Sequence, residues 1–255
     1  MPRYKLTIEY DGTPYAGWQK QDDRPTVQQN IAEAVEKFCG TPVDVVGAGR
    51  TDAGVHATAQ VAHIDLPKEY DSFRIMQGIN FYLFCPMGLP EGPSANRIAI
   101  TEVEPVSNEF HARFSGKKRH YLYRVINRRS RLGLEAGRAW HVVEPLDIDS
   151  MRAAANILVG HHDFSSFRDT QCQSKSPVKT LEQLDVEPVG EEVHFITSAR
   201  SFLHHQVRIM VGTLSLVGKG RWSVADMAIA LEAKDRTRGG PTAPPDGLYL
   251  TKVDY

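Results

Sequence analysis

Apolar and polar residues alternate along several stretches of the chain, and this period of two predicts β-strands. The first stretch runs from Tyr4 to Tyr10 and ends at Asp11-Gly12, a dipeptide typical of turns. The same alternation predicts strands over residues 60–66, 121–126, 193–197 and 248–255, and Val43 and Val45 indicate a further short strand. The strands are distributed over the whole chain.

Apolar residues spaced three and four positions apart predict helices between these strands. The first helix begins at Thr26, whose hydroxyl fits a capping box with Gln29, and it ends at Gly40. Its predicted inward residues are Ile31, Ala34, Val35 and Phe38.

Three more helices are predicted in the second half of the chain. Asp149 is predicted to cap a helix that ends at Gly160, residues 206–217 form a mostly apolar helix, and Ser223 with Asp226 begins the last one. The predicted inward residues of the first and last of these helices are Met151, Ala154, Ala155, Leu158, Ala225, Ala228 and Leu231.

Strands interleaved with helices in both halves predict an α+β fold of two similar lobes. We place the boundary near Pro105–Asn108, which gives an N-terminal lobe over residues 1–106 and a C-terminal lobe over residues 107–255. The segment 85–96 contains three prolines and two glycines and is predicted to be the least ordered part of the chain.

Charge is unevenly distributed, although the formal net charge of the 255 residues is only −1. Residues 113–138 contain nine lysines and arginines against one acidic residue, Glu135. Such a stretch either contacts a polyanion or is a solvated basic loop. The three cysteines form no Cys-x-x-Cys pair, and the chain has neither a signal-peptide pattern nor an apolar run of membrane-spanning length. These features predict a soluble cytoplasmic protein.

Residues 47–57, GAGRTDAGVHA, place charged side chains among very small ones. Their glycine spacing does not fit a phosphate-binding loop. In an extended backbone Arg50 and Asp52 face the same way, so both could point into one cleft. An ionised carboxylate acts as a nucleophile without a separate base, whereas the structural alternative is an aspartate that stabilises a turn.

Arg208 lies in FLHHQVRIMVG, flanked by apolar residues of a predicted helix. A guanidinium buried there would need a carboxylate or phosphate partner, and otherwise it extends to the surface. The adjacent His204 and His205 are poorly placed to share one metal ion, so we interpret them as polar groups of the core or of a surface that faces a partner.

Besides nucleophilic catalysis by Asp52, two classes of function remain open on these residues. A metal-dependent hydrolase would use Asp52 with His56 and His63, or the cluster His161-His162-Asp163. An RNA-binding module without chemistry would use Asp52 only as a structural residue.

Several motifs resemble the tRNA pseudouridine synthase A family, whose enzymes modify uridines 38 to 40 of the tRNA anticodon arm. GAGRTDAGVHA resembles its catalytic motif. The other matching segments, in the family's order, are IEYDGTPYAGWQKQ, FHARFS, R-x-Y-x-Y at 119–123, DFSSFR, CQSKSPVKTL, FLHHQVRIMVG, AKDR and GLYLTKVDY. Residues 80–100 depart from the family pattern by being longer and different in sequence.

The resemblance implies a pseudouridine synthase fold, with mostly antiparallel sheets meeting at a central catalytic cleft. It implies that Asp52 is the nucleophile, that Arg208 pairs with it and that Tyr121 stacks on the target uracil. Arg50 would occupy the space that the flipped base leaves. Leu248 or Leu250 would line the pocket.

The isomerisation adds and removes no atoms, so the resemblance implies that no cofactor or metal is required. The partner it implies is tRNA, bound by a homodimer. On this interpretation the basic stretch, with Arg128, Arg129 and Arg131, lies along the tRNA groove.

Overall fold

A computed structural model describes residues 1–84 and 97–255, and the segment 85–96 with its predicted loop lies outside them. The chain forms two compact units, the first comprising residues 1–117 and 250–255 and the second residues 118–249. The sequence placed the division near residue 106. Residues 110–115 belong to the first unit because the amide of Ala112 donates to His63 Nδ1 and the Phe110 ring contacts Tyr255.

The first unit is built on three long antiparallel strands and two helices. In chain order its elements are β1 (Arg3–Tyr10), α1 (Val27–Cys39), β2 (Val46–Gly47), β3 (His56–Asp65), α2 (Ser72–Phe84) and β4 (Ile98–Val106). β1 lies between β3 and β4, and the short β2 pairs with β3. The helices bury Val27, Ile31, Ala34, Val35, Ile75, Ile79 and Leu83.

The second unit has the same mixture of strands and helices. Its elements are β5 (Lys118–Asn127), β6 (Trp140–Val142), α3 (Ile148–Leu158), β7 (Gly160–Asp163), β8 (Val178–Val189), β9 (Glu192–Ala199), α4 (Gln206–Gly218) and α5 (Val224–Ala233). The antiparallel order is β5-β9-β8-β7, and β6 pairs with β5 in parallel. The last strand, β10 (Leu248–Asp254), begins in this unit and ends in the first.

The predicted α+β class with mostly antiparallel strands is confirmed. The strand predicted at Val43 and Val45 is wrong, because β2 consists only of Val46 and Gly47. Thr26 does cap α1, with its hydroxyl accepting from the Gln29 amide at 3.4 Å. The reciprocal half of that capping box is wrong, since the Gln29 side chain donates to Glu33 at 2.9 Å.

Two further predictions about helices need correction. The N-cap of α3 is Asp147, whose carboxylate accepts from the Ser150 amide at 3.1 Å, and Asp149 lies in the first turn. In α5, Ala225 is exposed and Met227 is buried, so the inward face is made by Met227, Ala230 and Leu231. Within the described ranges no helix is long and apolar enough to cross a bilayer.

Candidate active site

The 47–57 loop of the first unit is held by the chain that follows β1. The Trp18 amide donates to the Thr51 carbonyl at 3.0 Å, and the Gly54 amide donates to the Tyr15 carbonyl at 3.3 Å. The Gly12 amide donates to His56 Nδ1 at 3.0 Å. These bonds reach the middle and the C-terminal end of the loop, so residues 12–18 form its support.

Close backbone approach explains a glycine in this support. Gly17 adopts φ +99°, and a Cβ on it would lie 2.7 Å from the Thr51 carbonyl oxygen. Any larger residue would therefore strain the backbone and push the loop away. On the loop itself, Gly47 faces the buried Trp18 indole, which would be 2.6 Å from an added Cβ.

Buried neutral hydrogen bonds fix the residue next to Asp52. The Tyr10 hydroxyl and Thr51 Oγ1 are 2.8 Å apart, and both side chains are buried. Burial raises the pKa of Tyr10, so the phenol stays neutral. The buried Gln60 amide donates to the Gly49 carbonyl at 3.0 Å, which fixes the loop on the other side of Arg50.

These supports define how the loop presents its charged residues. Thr51 is buried, whereas Asp52 is half-buried and Arg50 is exposed. The Val55 amide donates to the Asp52 carbonyl at 3.2 Å and closes a turn immediately after the aspartate. Asp52 is thus held through its backbone and its neighbour, with its carboxylate at the edge between protein and solvent.

The histidines proposed as metal ligands have defined hydrogen-bonding roles. His56 Nδ1 accepts from the Gly12 amide, and His63 Nδ1 accepts from the Ala112 amide at 3.1 Å. Burial, followed by the charge of Arg3, lowers the pKa of His63 to about 4. In the other cluster, His161 Nδ1 contacts Thr180 Oγ1 and His162 Nε2 contacts the Val159 carbonyl. Each of these nitrogen atoms is therefore engaged within the protein.

In the second unit, Tyr121 lies on β5 opposite Thr197 of β9. Its half-buried ring packs edge-on against Phe202, with centroids 5.2 Å apart. Tyr123 is two residues further along and is fully buried, and its hydroxyl donates to the Pro244 carbonyl at 2.8 Å. Strand β5 is thereby joined to the segment that precedes β10.

Arg208 lies on α4, where every residue except Arg208 and Leu216 is buried. Its Nε donates to the Ala243 carbonyl at 2.9 Å, and its own carbonyl accepts from the Ala243 amide at 3.1 Å. Gly212 permits this approach, because an added Cβ would lie 1.9 Å from the Pro241 carbonyl oxygen. The helix bearing Arg208 and the strand bearing Tyr121 are therefore bonded to adjacent residues, Ala243 and Pro244.

The start of α4 contains a strained residue. His205 precedes the helix with φ 60°, a conformation that non-glycine residues rarely adopt. Its Nδ1 contacts Asp169 Oδ2 at 2.8 Å, and its ring stacks on His204 with centroids 3.9 Å apart. Hydrogen bonds, first from the Gln171 amide and then from His205, lower the pKa of Asp169 against the opposing effect of burial. The aspartate stabilises the turn that leads to Arg208.

The remaining predicted residues differ in exposure. Leu248 and Leu250 are both buried. Arg129 and Arg131 are exposed, whereas Arg128 is half-buried and pairs with Glu191 at 2.8 Å. Arg124 similarly pairs with Glu192 at 2.6 Å. The sequence count overstated the basic charge of this stretch, because acids distant in sequence neutralise part of it.

Sequence reasoning identified the 47–57 loop but assigned no role to its support. The residues that it missed are Tyr10, Gly12, Gly17, Trp18, Thr51 and Gln60. A signal was present, since IEYDGTPYAGWQKQ stood among the resembling motifs. Only the fold shows that this motif holds the loop.

Comparison with known proteins identifies the family of the chain. The family model described as tRNA pseudouridine synthase matches residues 6–115 and 154–255. A tRNA pseudouridine synthase A from Bradyrhizobium sp. (strain BTAi1) is 56% identical over all 255 residues, with the whole of both chains covered. The protein of the same name from Rhodopseudomonas palustris (strain BisB18) is 57% identical, again over the full length of both chains. That from Paramagnetospirillum magneticum is 54% identical over this whole chain and 96% of its own.

The fold and the matching motifs define an RNA-modifying isomerase of mixed α/β architecture. The chain belongs to the tRNA pseudouridine synthase family, as the sequence motifs predicted.

Proposed function

We propose that this protein isomerises uridine to pseudouridine at positions 38, 39 and 40 of the tRNA anticodon arm. Membership of the family supports the reaction, and the motif resemblance supports the positions. The observation that carries the chemistry is the presentation of Asp52. Asp52 is half-buried and follows the buried Thr51, whose hydroxyl bonds to Tyr10 and whose carbonyl accepts from the Trp18 amide. Gln60 holds the same loop at Gly49.

The reaction breaks the bond between uracil N1 and ribose C1′, turns the base and joins C1′ to C5. The proton on C5 is lost and N1 gains one, so the product has the composition of the substrate. We propose that the Asp52 carboxylate stabilises or traps the electron-poor carbon during this exchange. A rigid loop suits that role because the carboxylate needs little reorganisation when charge develops.

Arg208 is proposed to pair with Asp52 and to orient its carboxylate. Its position on an otherwise buried helix, fixed by two bonds to Ala243, supports a defined orientation. Tyr121 is proposed to stack on the uracil, because its half-buried ring is held on edge by Phe202.

Base flipping is the second part of the proposal. Arg50 is exposed and adjacent to the anchored Thr51, which suits a planar cation that enters the stack when the target nucleotide leaves. Unstacking costs a few kcal/mol, and the stacked guanidinium offsets part of that cost. Leu248 or Leu250 is proposed as an apolar wall for the flipped base.

The basic stretch is proposed to bind tRNA phosphates. Arg129 and Arg131 are its best candidates because both are exposed, whereas the charge of Arg128 is offset by Glu191. Replacing Arg129 and Arg131 with glutamate should weaken tRNA binding and reduce its salt dependence more than Arg128→Glu alone. Equal tRNA affinities and equal salt slopes for the wild type, the double variant and Arg128→Glu would contradict this assignment.

The family resemblance also supports a homodimer that acts in the cytoplasm. Sedimentation equilibrium tests the assembly. The proposal expects twice the chain's mass of 28.5 kDa at micromolar concentration. A mass that stays at one chain over the same range would overturn it.

The reaction is tested by tritium release from tRNA transcripts labelled at C5 of uridine. Transcripts with uridine at 38, 39 or 40 should release tritium, and matched transcripts with cytidine at all three positions should release only background. Release that is the same from both sets would reject the proposed positions. A chelator should leave the rate unchanged, whereas the metal-dependent hydrolase alternative requires a loss of activity.

A further inference from the structure

A tight turn at residues 111–115 of the first unit presents a phenylalanine to solvent. Phe114 is 74% exposed, although the preceding Ala112 is fully buried. The turn precedes β5 in the chain and is part of the FHARFS motif, to which the proposed chemistry gives no role. An exposed aromatic ring on a rigid turn has a ligand-binding role in many RNA-binding surfaces.

The exposure of Phe114 does not come from a loosely held backbone. The Ser115 amide donates to the His111 carbonyl at 2.8 Å, and the His111 amide donates to Ser115 Oγ at 3.0 Å. His111 Nδ1 accepts from the amides of Arg113 and Phe114 at 3.2 and 3.3 Å. The turn is therefore closed on itself, with Phe114 projecting from it.

The same turn is fastened to the rest of the first unit. The Ala112 amide donates to His63 Nδ1 at 3.1 Å, and its carbonyl accepts from the Tyr255 hydroxyl at 2.8 Å. The position of Phe114 is thus fixed relative to β3, which follows directly from the loop carrying Asp52. A ring fixed in this way loses little conformational freedom when a ligand stacks on it.

The neighbours of Phe114 extend the stack and add charge. The His111 ring lies 4.4 Å from the Phe114 ring, tilted by 34°, and the Arg113 guanidinium lies 5.7 Å from the Phe114 centroid. Arg113 and Lys117 are both exposed. Aromatic rings next to cations match the alternation of bases and phosphates in single-stranded nucleic acid.

We propose that His111, Arg113 and Phe114 form a stacking platform for an unpaired nucleobase of the tRNA, with Arg113 at the adjoining phosphate. The proposal rests on tRNA being the substrate. A protein partner fits less well, because a protein interface core is depleted of charge and this single exposed ring has cationic residues beside it.

The test compares the affinity of Phe114 variants for an unmodified tRNA transcript, measured by fluorescence anisotropy at several salt concentrations. Phe114→Ala and Phe114→Leu should weaken binding by about 5- to 100-fold, the range for loss of one stacked base, with an unchanged salt slope. Phe114→Trp should keep the affinity, and its indole emission should change when tRNA is added. The matched control is Phe73→Ala, since Phe73 is 65% exposed on α2 of the same unit.

The platform would be overturned by wild-type affinity of Phe114→Ala, by equal weakening in Phe114→Trp, or by equal weakening in Phe73→Ala. A change of assembly mass in Phe114→Ala without a change in tRNA affinity would also overturn it and would indicate a protein contact. Tritium release by the wild-type protein is measured in parallel. Its absence would count against the proposed reaction, whereas its presence with unaltered Phe114→Ala binding would count against the platform alone.

Discussion

The two regions proposed to share the chemistry are fixed in different ways. In the first unit, buried neutral groups hold the 47–57 loop, chiefly Tyr10 with Thr51 and Gln60 with Gly49. In the second unit, Arg208 and Tyr123 are bonded to the backbone carbonyls of Ala243 and Pro244, in an irregular segment. The first region therefore holds Asp52 on a loop fixed by buried hydrogen bonds. In the second region, the Arg208 guanidinium is positioned by its bond to the irregular segment at Ala243.

Apart from loss of the proposed nucleophile itself, this comparison predicts its largest effect at Arg208. Arg208→Lys keeps the charge but loses the planar guanidinium, whose Nε is bound to Ala243. If Arg208 orients Asp52, kcat for pseudouridine formation should fall by about 10²- to 10³-fold while tRNA affinity changes little. Arg221→Lys is the control, because the Arg221 side chain is 62% exposed and pairs with Glu144 at the surface. Equal kcat values for the two variants would remove Arg208 from the mechanism.

The next prediction compares one buried hydrogen bond from each of the two regions. Tyr10→Phe leaves the buried Thr51 hydroxyl without its partner, and Tyr123→Phe does the same to the Pro244 carbonyl. Each change should lower the free energy of unfolding by about 1–3 kcal/mol, measured by urea denaturation. Tyr10→Phe should also lower kcat, because Thr51 adjoins Asp52. Tyr249→Phe, which removes a more exposed hydroxyl bond, serves as the control. A Tyr10→Phe enzyme with normal stability and kcat would show that the Tyr10–Thr51 hydrogen bond does not hold the 47–57 loop.

Burial of one histidine is expected to make the stability of the first unit depend on pH. The pKa of His63 falls to about 4 on folding, against an ordinary value near 6.5, because burial and then the charge of Arg3 disfavour the protonated ring. Protons therefore bind the unfolded chain more readily, and stability should decline as the pH falls from about 6.5 towards 4, by at most a few kcal/mol. In His63→Gln this part of the decline should disappear. Parallel curves for both proteins, from urea denaturation between pH 7 and 4, would refute the expectation.

The smallest effect is expected at Gly49 of the 47–57 loop, and Gly47 provides the comparison. A Cβ at Gly49 would meet no atom within 4 Å, whereas one at Gly47 would lie 2.6 Å from the Trp18 ring. Gly49→Ala should leave the melting temperature within about 1 °C, while Gly47→Ala should lower the free energy of unfolding by about 1–3 kcal/mol. If RNA approaches the loop closely, Gly49→Ala will raise KM for tRNA without unfolding the protein. Normal KM would place the RNA backbone elsewhere.

Local patterns predicted much of this fold because local physics sets it. The alternation in β1, β5 and β9 and the capping box at Ser223 are each readable within a few residues. The cap of α3 was misplaced because Asp147 and Asp149 are equally good caps in sequence. Only the packing of Met151 and its neighbours favours Asp147.

The 47–57 motif was readable because its residues are contiguous, whereas the contacts that hold it were not. The contacts that hold the 47–57 loop come from residues 10–18 and from Gln60, and they depend on how β1 and β3 pair. The contacts of Arg208 with Ala243 span 35 positions in the chain. The periodicity of apolar residues in a sequence does not predict contacts between residues that lie so far apart in the chain. The ion pairs of Arg124 and Arg128 with Glu192 and Glu191 likewise became visible only with the fold.

The most direct test of the central claim compares wild-type protein with Asp52→Asn on C5-tritiated tRNA. Both proteins should fold and bind the tRNA equally, because the bonds that hold the loop at Thr51, Gly49 and Gly54 are all kept in Asp52→Asn. Tritium release should fall by about 10⁴-fold or more in Asp52→Asn, since the amide is no nucleophile. Release at a rate near that of the wild type would contradict the account, and the chemistry would have to be sought at another group.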